Sequence, residues 1–144
     1  MSPHDRIVLT RNDYMQLKRL YADLSAAPPS SSALDGLEEV LDVAQVVSSD
    51  QIPSNVVTMN SRVLFEDVRS HAQESVTLVY PAKTDLSSRR ISVLSPVGMA
   101  LLGEAEGAQV ELPVPHGTRR IRILSVLYQP EAEGDLDLRG ATGG

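Results

Sequence analysis

The hydrophobic period of this 144-residue chain changes once, close to residue 50, and the change demands two kinds of structure in a fixed order. Before it, Tyr14, Leu17, Tyr21 and Leu24, and then Leu34, Leu37, Leu41 and Ala44, recur at 3, 4, 3 spacing, the seam of a short coiled coil. From Val56 onward, short apolar runs alternate with polar residues, as in half-buried strands. The expected class is α+β: an antiparallel helical hairpin over 1–50, a sheet domain over 51–129, and an acidic, glycine-rich tail over 130–144 that has no sustained apolar period and is expected to be flexible.

Punctuation along the chain supports this division. Thr10 followed by Asp13 resembles a capping box and predicts a helix over Arg11–Ser25. Pro28 and Pro29 among serines cannot continue a helix, so the segment from Ala26 to Ser31 is the expected turn. Ser32 with Asp35 repeats the capping signature, and the second helix is expected to run until Ser48, Ser49 and Pro53 end the pattern. Helices of about 14 to 15 residues project roughly 20 Å. Gly36 weakens the second by about 1 kcal/mol relative to Ala.

Strands are expected at Val56–Met59, Arg62–Glu66, Ser75–Tyr80, Arg89–Leu94, Gln109–Leu112 and Thr118–Tyr128, forming a curved antiparallel sheet. The last, apolar on both faces toward its end, reads as a central strand, with Ile121, Ile123, Ser125 and Leu127 sharing one side. One short helix interrupts the strands: Ser95 can cap it, Pro96 occupies its first position, and Gly103 stands where a left-handed residue would end it.

Composition narrows the chemistry. One Phe, four Tyr and no Trp leave an aliphatic core and put any function needing an aromatic-lined pocket at a disadvantage. The lack of cysteine removes disulfides, thiolate metal sites and thiol nucleophiles. His4, His71 and His116 stand far apart without carboxylates at ligand spacing, so no metal or cofactor is implied. Ser61, Ser92 and Ser125 lack an elbow motif or a base, and Gly103–Gly107 lacks the strand-to-helix context of a phosphate cradle. No catalytic constellation is present, and the expected role is not enzymatic. The opening MSPHDRIVLT is charged where a signal peptide would be apolar, and no run approaches membrane-spanning length, so the cytoplasm is the expected compartment, with no membrane partner.

The net charge of −6 disfavours direct nucleic-acid binding. Gln51 to Gln129 carries eight basic and seven acidic residues, so the acidic excess belongs to the flanking segments. Its sharpest expression is Asp35, Glu38, Glu39 and Asp42, an acidic stripe at i, i+3, i+4 and i+7 of the second helix. A solvated helix face explains such a stripe, yet like charges at i,i+4 cost a few tenths of a kcal/mol each, which leaves room for selection by a basic or metal-rich partner. Arg89, Arg90, Arg119, Arg120 and Arg122 could form a basic patch, but without interleaved aromatics an RNA-binding module is disfavoured.

The stretch SPVGMALLGEAEGAQVELPVPHGTRRIRILSVLY, Ser95 to Tyr128, resembles the C-terminal domain of the Gre transcript-cleavage factor superfamily. TMNSRV at 58–63, LVYPA at 78–82 and YQPE at 128–131 resemble its Rnk subgroup, the regulators of nucleoside diphosphate kinase. The resemblance implies an FKBP-like domain that binds the rim of the secondary channel of RNA polymerase while the hairpin points into the channel. It assigns polymerase contact to Ser95 and Pro96; beside them Leu94 and Met99, if exposed, would be the apolar anchors of a modest interface, and are equally candidates for the core. The acidic pair that cleavage factors carry at the tip of a longer arm has no counterpart in the turn, so stimulated transcript cleavage is not expected. Competition with cleavage factors is the expected function; regulation of nucleoside diphosphate kinase, or a scaffold role on another partner, is the alternative. Fold likeness to FKBP does not carry prolyl isomerase activity, which needs packed aromatics where this domain has Phe65 and little else.

Overall fold

In the computed structural model, which describes residues 7–26 and 32–134, Thr10 Oγ1 accepts the backbone amide of Asp13 at 3.0 Å and starts the first helix where the sequence places it. That helix, α1, spans Arg11–Ser25, preceded by the short strand β1, Val8–Thr10. The second helix, α2, spans Ser32–Val43, and β2 follows at Gln45–Val47. The expected turn from residue 27 on, His4, and the expected tail from residue 135 on lie outside the described residues.

The two helices pack on each other through the predicted seam, with a wider apolar face than the 3, 4, 3 spacing required. Leu17, Leu34 and Leu37 are buried, Tyr14, Tyr21, Leu41 and Ala44 are partly buried against the core, and Leu24 is exposed. Val40, outside the expected seam, is also buried. The second helix stops short of Ser48 because the chain turns to pair: Gln45 donates to the Ile7 carbonyl at 2.9 Å, and β1 and β2 run parallel with Leu9 opposite Val46. β-Branched Val43, Val46 and Val47 favour this extended course.

Beyond the arm lie β3 (Arg62–Asp67), β4 (Gln73–Val79), β5 (Arg90–Ser92), α3 (Pro96–Leu101), β6 (Gln109–Val114) and β7 (Gly117–Tyr128). The sheet order is β5-β4-β3-β7-β6, so β7 is an interior strand. The sheet is mixed rather than antiparallel throughout: two 3-10 turns, Pro81–Lys83 and Leu86–Ser88, bring β5 back parallel to β4. Val56–Met59 is not a strand. Val56 bridges only Ala105, and Thr58 to Ser61 close a turn in which Asn60 adopts φ 67° and Ser61 Oγ accepts the Thr58 amide at 2.9 Å.

The alternation expected along β7 also breaks. Ile121 and Ile123 are fully buried, but the register against β3 shifts between Leu64 and Phe65, so Ser125 pairs with Leu64 and Val126 faces inward opposite Val63. This bulge turns Val126 inward and leaves Leu127 exposed, and a second shift, between Arg62 and Val63, brings Tyr128 opposite Arg62. Below the sheet, α3 starts as predicted: Ser95 Oγ accepts the Gly98 amide at 3.1 Å and Pro96 occupies its first turn. Gly103 takes φ 79° after it, within reach of Ile7 and Val8. The core is aliphatic around Phe65, with Leu9, Leu17 and Leu37 of the arm joining Leu78, Leu101 and Ile121 of the sheet domain. Where a tail is expected to begin at residue 130, Pro130–Glu133 form one helical turn, α4, and Pro130 is buried. No helix among the described residues is long and apolar enough to cross a membrane.

Candidate functional site

The start of α3 forms one lip of a groove on the sheet domain. Ser95, Pro96 and Val97 stand on one side, and Phe65, Val76, Ile91 and Leu112 form the floor of a concavity of about 720 Å³. Two apolar side chains are held open at its edge, Leu86 at 76% exposure and Val114 at 40%. Arg119 closes one end, donating through Nε to Asp67 at 2.9 Å and through a terminal nitrogen to Glu74 at 3.4 Å. Asp67 also accepts the amides of Arg69 and Ser70, and these bonds, with Arg119, hold its carboxyl down at about 2. The groove thus mixes an apolar lining with the paired charges of Arg119, Arg89 and Glu74.

Of the four residues assigned to contact, Ser95 and Pro96 line this groove and Pro96 is exposed. Ser95 Oγ is engaged twice, accepting from Gly98 and donating to the Ser92 carbonyl at 2.7 Å, so it shapes the lip as well as presenting it. Leu94 and Met99 are half-buried against the core and do not line the groove. Met99 instead lies toward the arm: a Cβ added at Gly36 would stand 3.4 Å from Met99 Cγ. Gly36 thus stands where α2 faces α3 across Met99.

The acidic stripe is exposed at all four positions, Asp35, Glu38, Glu39 and Asp42. Tyr21 of the facing helix donates to Glu38 at 3.1 Å, and that bond, with the charges of Glu38, Asp35 and Asp42, raises the Tyr21 hydroxyl pKa. Asp35, Glu38 and Asp42 thus act on one point of the arm.

A second polar site, missed from sequence, joins arm to domain. Asp13, expected to complete a capping box, is fully buried, and its Oδ2 accepts the Met59 amide at 3.1 Å. Thr58 beside it donates to Glu131 at 2.7 Å and shares a 2.8 Å hydrogen bond with Ser61. Gln129 Nε2 donates to the carbonyls of Pro53 and Val56 at 2.8 and 2.9 Å. Burial, reinforced by the charge of Glu131, pushes the Asp13 carboxyl up to about 8. Burial and the nearby acids Asp13 and Glu131 raise the Tyr80 hydroxyl as well. The motifs TMNSRV, LVYPA and YQPE, separate in sequence, thus meet around one acid of the arm. Their adjacency to Asp13 had no signal in spacing.

Among the described residues, no group of three or more His, Asp or Glu side chains is arranged to hold a metal ion. Comparison with known proteins bears on the fold. The model of the C-terminal domain of the GreA/GreB transcription elongation factors matches residues 52–128. A regulator of nucleoside diphosphate kinase from Escherichia coli is 44% identical over 102 residues, covering 70% of this chain and 75% of that protein. A transcription elongation factor GreA from Limosilactobacillus fermentum is 30% identical over 122 residues, 78% of this chain and 77% of that protein. Among solved structures, a GreA/GreB elongation factor from Nitrosomonas europaea superposes with a TM-score of 0.70 at 41% identity, over 85% of this chain and 98% of that one.

Proposed function

Because this chain belongs to the GreA/GreB family and is a homologue of the regulators of nucleoside diphosphate kinase, we propose that it is a non-catalytic RNA polymerase-binding regulator. It docks at the rim of the secondary channel and competes with cleavage factors without stimulating transcript cleavage. The observation that carries this reading is the placement of Ser95 and Pro96 on the lip of the groove, beside the exposed side chains of Leu86 and Val114. A trough that mixes an apolar lining with paired charges suits a helical element of a partner, whose burial supplies affinity while Arg119 sets orientation. Phe65 is the one aromatic in the lining, which fits docking better than an isomerase pocket.

Leu94 and Met99 complete the proposed contact, Leu94 next to the lip and Met99 as the support that sets the arm against it. The exposed stripe of Asp35, Glu38, Glu39 and Asp42 enters the channel and occupies it. With purified core polymerase, the protein co-elutes and displaces a labelled Gre factor, and Pro96→Asp abolishes displacement by placing a charge on the apolar lip. Failure to co-elute at micromolar concentration rejects the reading. The name of the Escherichia coli relative favours a second one, regulation of nucleoside diphosphate kinase, for which retention of that kinase rather than polymerase is the expected result.

A further inference from the structure

The outer face of the sheet carries a cluster of cations that the docking reading leaves unused. Cross-strand register places Arg62 of β3 opposite Thr77 of β4, Thr77 opposite Arg90 of β5, and Arg62 opposite Tyr128 of β7. Paired residues share a face, and this face is opposite the core, since Val63, Val76 and Ile91 alternate with them and pack inward. Arg90, Thr77, Arg62 and Tyr128 therefore form one row across four neighbouring strands. With Lys83 from the turn above, they line a concavity of about 460 Å³. An adjoining depression of about 350 Å³ shares Arg62, Thr77 and Arg90 and adds the hydroxyl residues Ser75 and Ser88.

Among the described residues, no acid is ion-paired with these cations. Other arginines of the sheet have partners: Arg122 with Glu66 at 3.1 Å, Arg120 with Glu111 at 2.8 Å, Arg119 with Asp67, and Arg89 with Glu74 at 3.7 Å. Arg62, Lys83 and Arg90 are exposed and make no ion pair among the described residues. The nearest acid along the chain, Asp85, stands opposite Arg90 in an isolated bridge, but its carboxylate is bonded to the serines at 87 and 88, which lower its pKa, and makes no ion pair with Arg90. Three like charges around one hollow repel one another, and in a chain of net charge −6 composition does not force them together.

We infer that the hollow bounded by Arg62, Lys83, Arg90, Thr77 and Tyr128 binds a small condensed phosphate, a di- or triphosphate either free or carried by a nucleotide. Two guanidinium forks set two strands apart, at about 10 Å between backbones, can grip successive phosphates of one chain in the bidentate manner arginine prefers. Lys83 adds a point charge, and Thr77 and Ser75 supply hydroxyl donors. A concavity of this size accommodates a ligand and not the length of a polynucleotide, and it offers one aromatic, Tyr128, rather than a series of stacking platforms.

The test is calorimetric titration of the full chain with inorganic phosphate, pyrophosphate, tripolyphosphate and ATP. Saturable binding is expected that strengthens from phosphate to tripolyphosphate; ATP tighter than tripolyphosphate identifies a nucleotide-borne source, and equal affinity a free one. Arg62→Gln and Arg90→Gln each weaken binding about tenfold, because each removes a charge-assisted fork. Arg120→Gln, whose arginine is already paired, leaves binding unchanged. No binding at millimolar ligand, an equal loss in Arg120→Gln, or tighter arginine-dependent binding of single-stranded RNA overturns the inference. Both glutamine variants retain the wild-type melting temperature and still co-elute with polymerase, while Pro96→Asp still binds tripolyphosphate, so this site and the docking reading fail separately.

Discussion

Asp13, in the first turn of the arm, accepts the backbone amide of Met59 at 3.1 Å, and this bond between residues 46 apart in sequence fastens the arm to the sheet domain. A buried carboxyl normally costs stability unless its hydrogen bonds compensate or it takes up a proton. Here burial and Glu131 raise its pKa to about 8, so at neutral pH it stands as the neutral acid.

A pH dependence follows with a definite sign. Between the unfolded value of about 4 and the folded value of about 8, the folded chain holds a proton that the unfolded chain has released. Stability contributed by Asp13 is therefore complete below about pH 4, declines as pH rises, and levels off above about 8. Asn at this position keeps an acceptor for Met59 and never ionises. Urea midpoints from pH 4 to 9 should show wild type losing stability relative to Asp13→Asn as pH rises; parallel curves would mean that Asp13 does not titrate in this interval.

At the acid end the sign reverses. Asp67 is held down at about 2 by the Ser70 amide, by Arg119 and by the Arg69 amide. Its stabilisation is present above the unfolded value near 4 and is lost as pH falls toward 2. Arg119→Met removes the ion partner while leaving the turn amides in place. Its denaturation curves should converge with wild type below about pH 2 and separate above pH 4.

How much of this was legible differs by feature, and the reasons are physical. Local signals were read correctly: the Thr10 and Ser95 caps, Pro96 at the first turn and Gly103 after it all act within four residues of chain. Pairing was less accessible. The parallel return of β5 depends on two 3-10 turns, and the inward turn of Val126 depends on a register shift set by β3, neither of which leaves a mark on the alternation of β7 itself. The lip formed by Ser95 and Pro96 came from resemblance, whereas the groove beside it needs Phe65, Ile91 and Leu112 from three strands. Asp13 was misassigned because a capping acid and a buried acid occupy the same position in a helix; only the chain at 58–59 distinguishes them.

Close packing at Gly98 is a separate test of the lip. A Cβ there would lie 2.2 Å from the Ser92 carbonyl oxygen and 3.0 Å from Leu78, so the backbone on which Ser95 and Pro96 sit would have to shift. Gly98→Ala should cost about 1–3 kcal/mol in chemical denaturation despite the better helix propensity of Ala. A gain in stability would show that α3 can move without loss.

Gly36 predicts the opposite response to the same change. The space beside it is bounded by Met99, a flexible side chain, with Cγ at 3.4 Å from the added carbon, which is ordinary contact. Ala then adds helix propensity and reduces the freedom of the unfolded chain without a clash, so Gly36→Ala should stabilise by up to about 1 kcal/mol. Leu at the same position cannot fit and must lever α2 away from α3. If the proposed polymerase docking requires the arm to stand at a set angle to the groove, Gly36→Leu should co-elute with polymerase through the intact lip and yet displace a Gre factor poorly. Gly36→Ala should displace at least as well as wild type. Equal displacement by both variants would mean that the groove alone does the competing and that the arm contributes nothing to it.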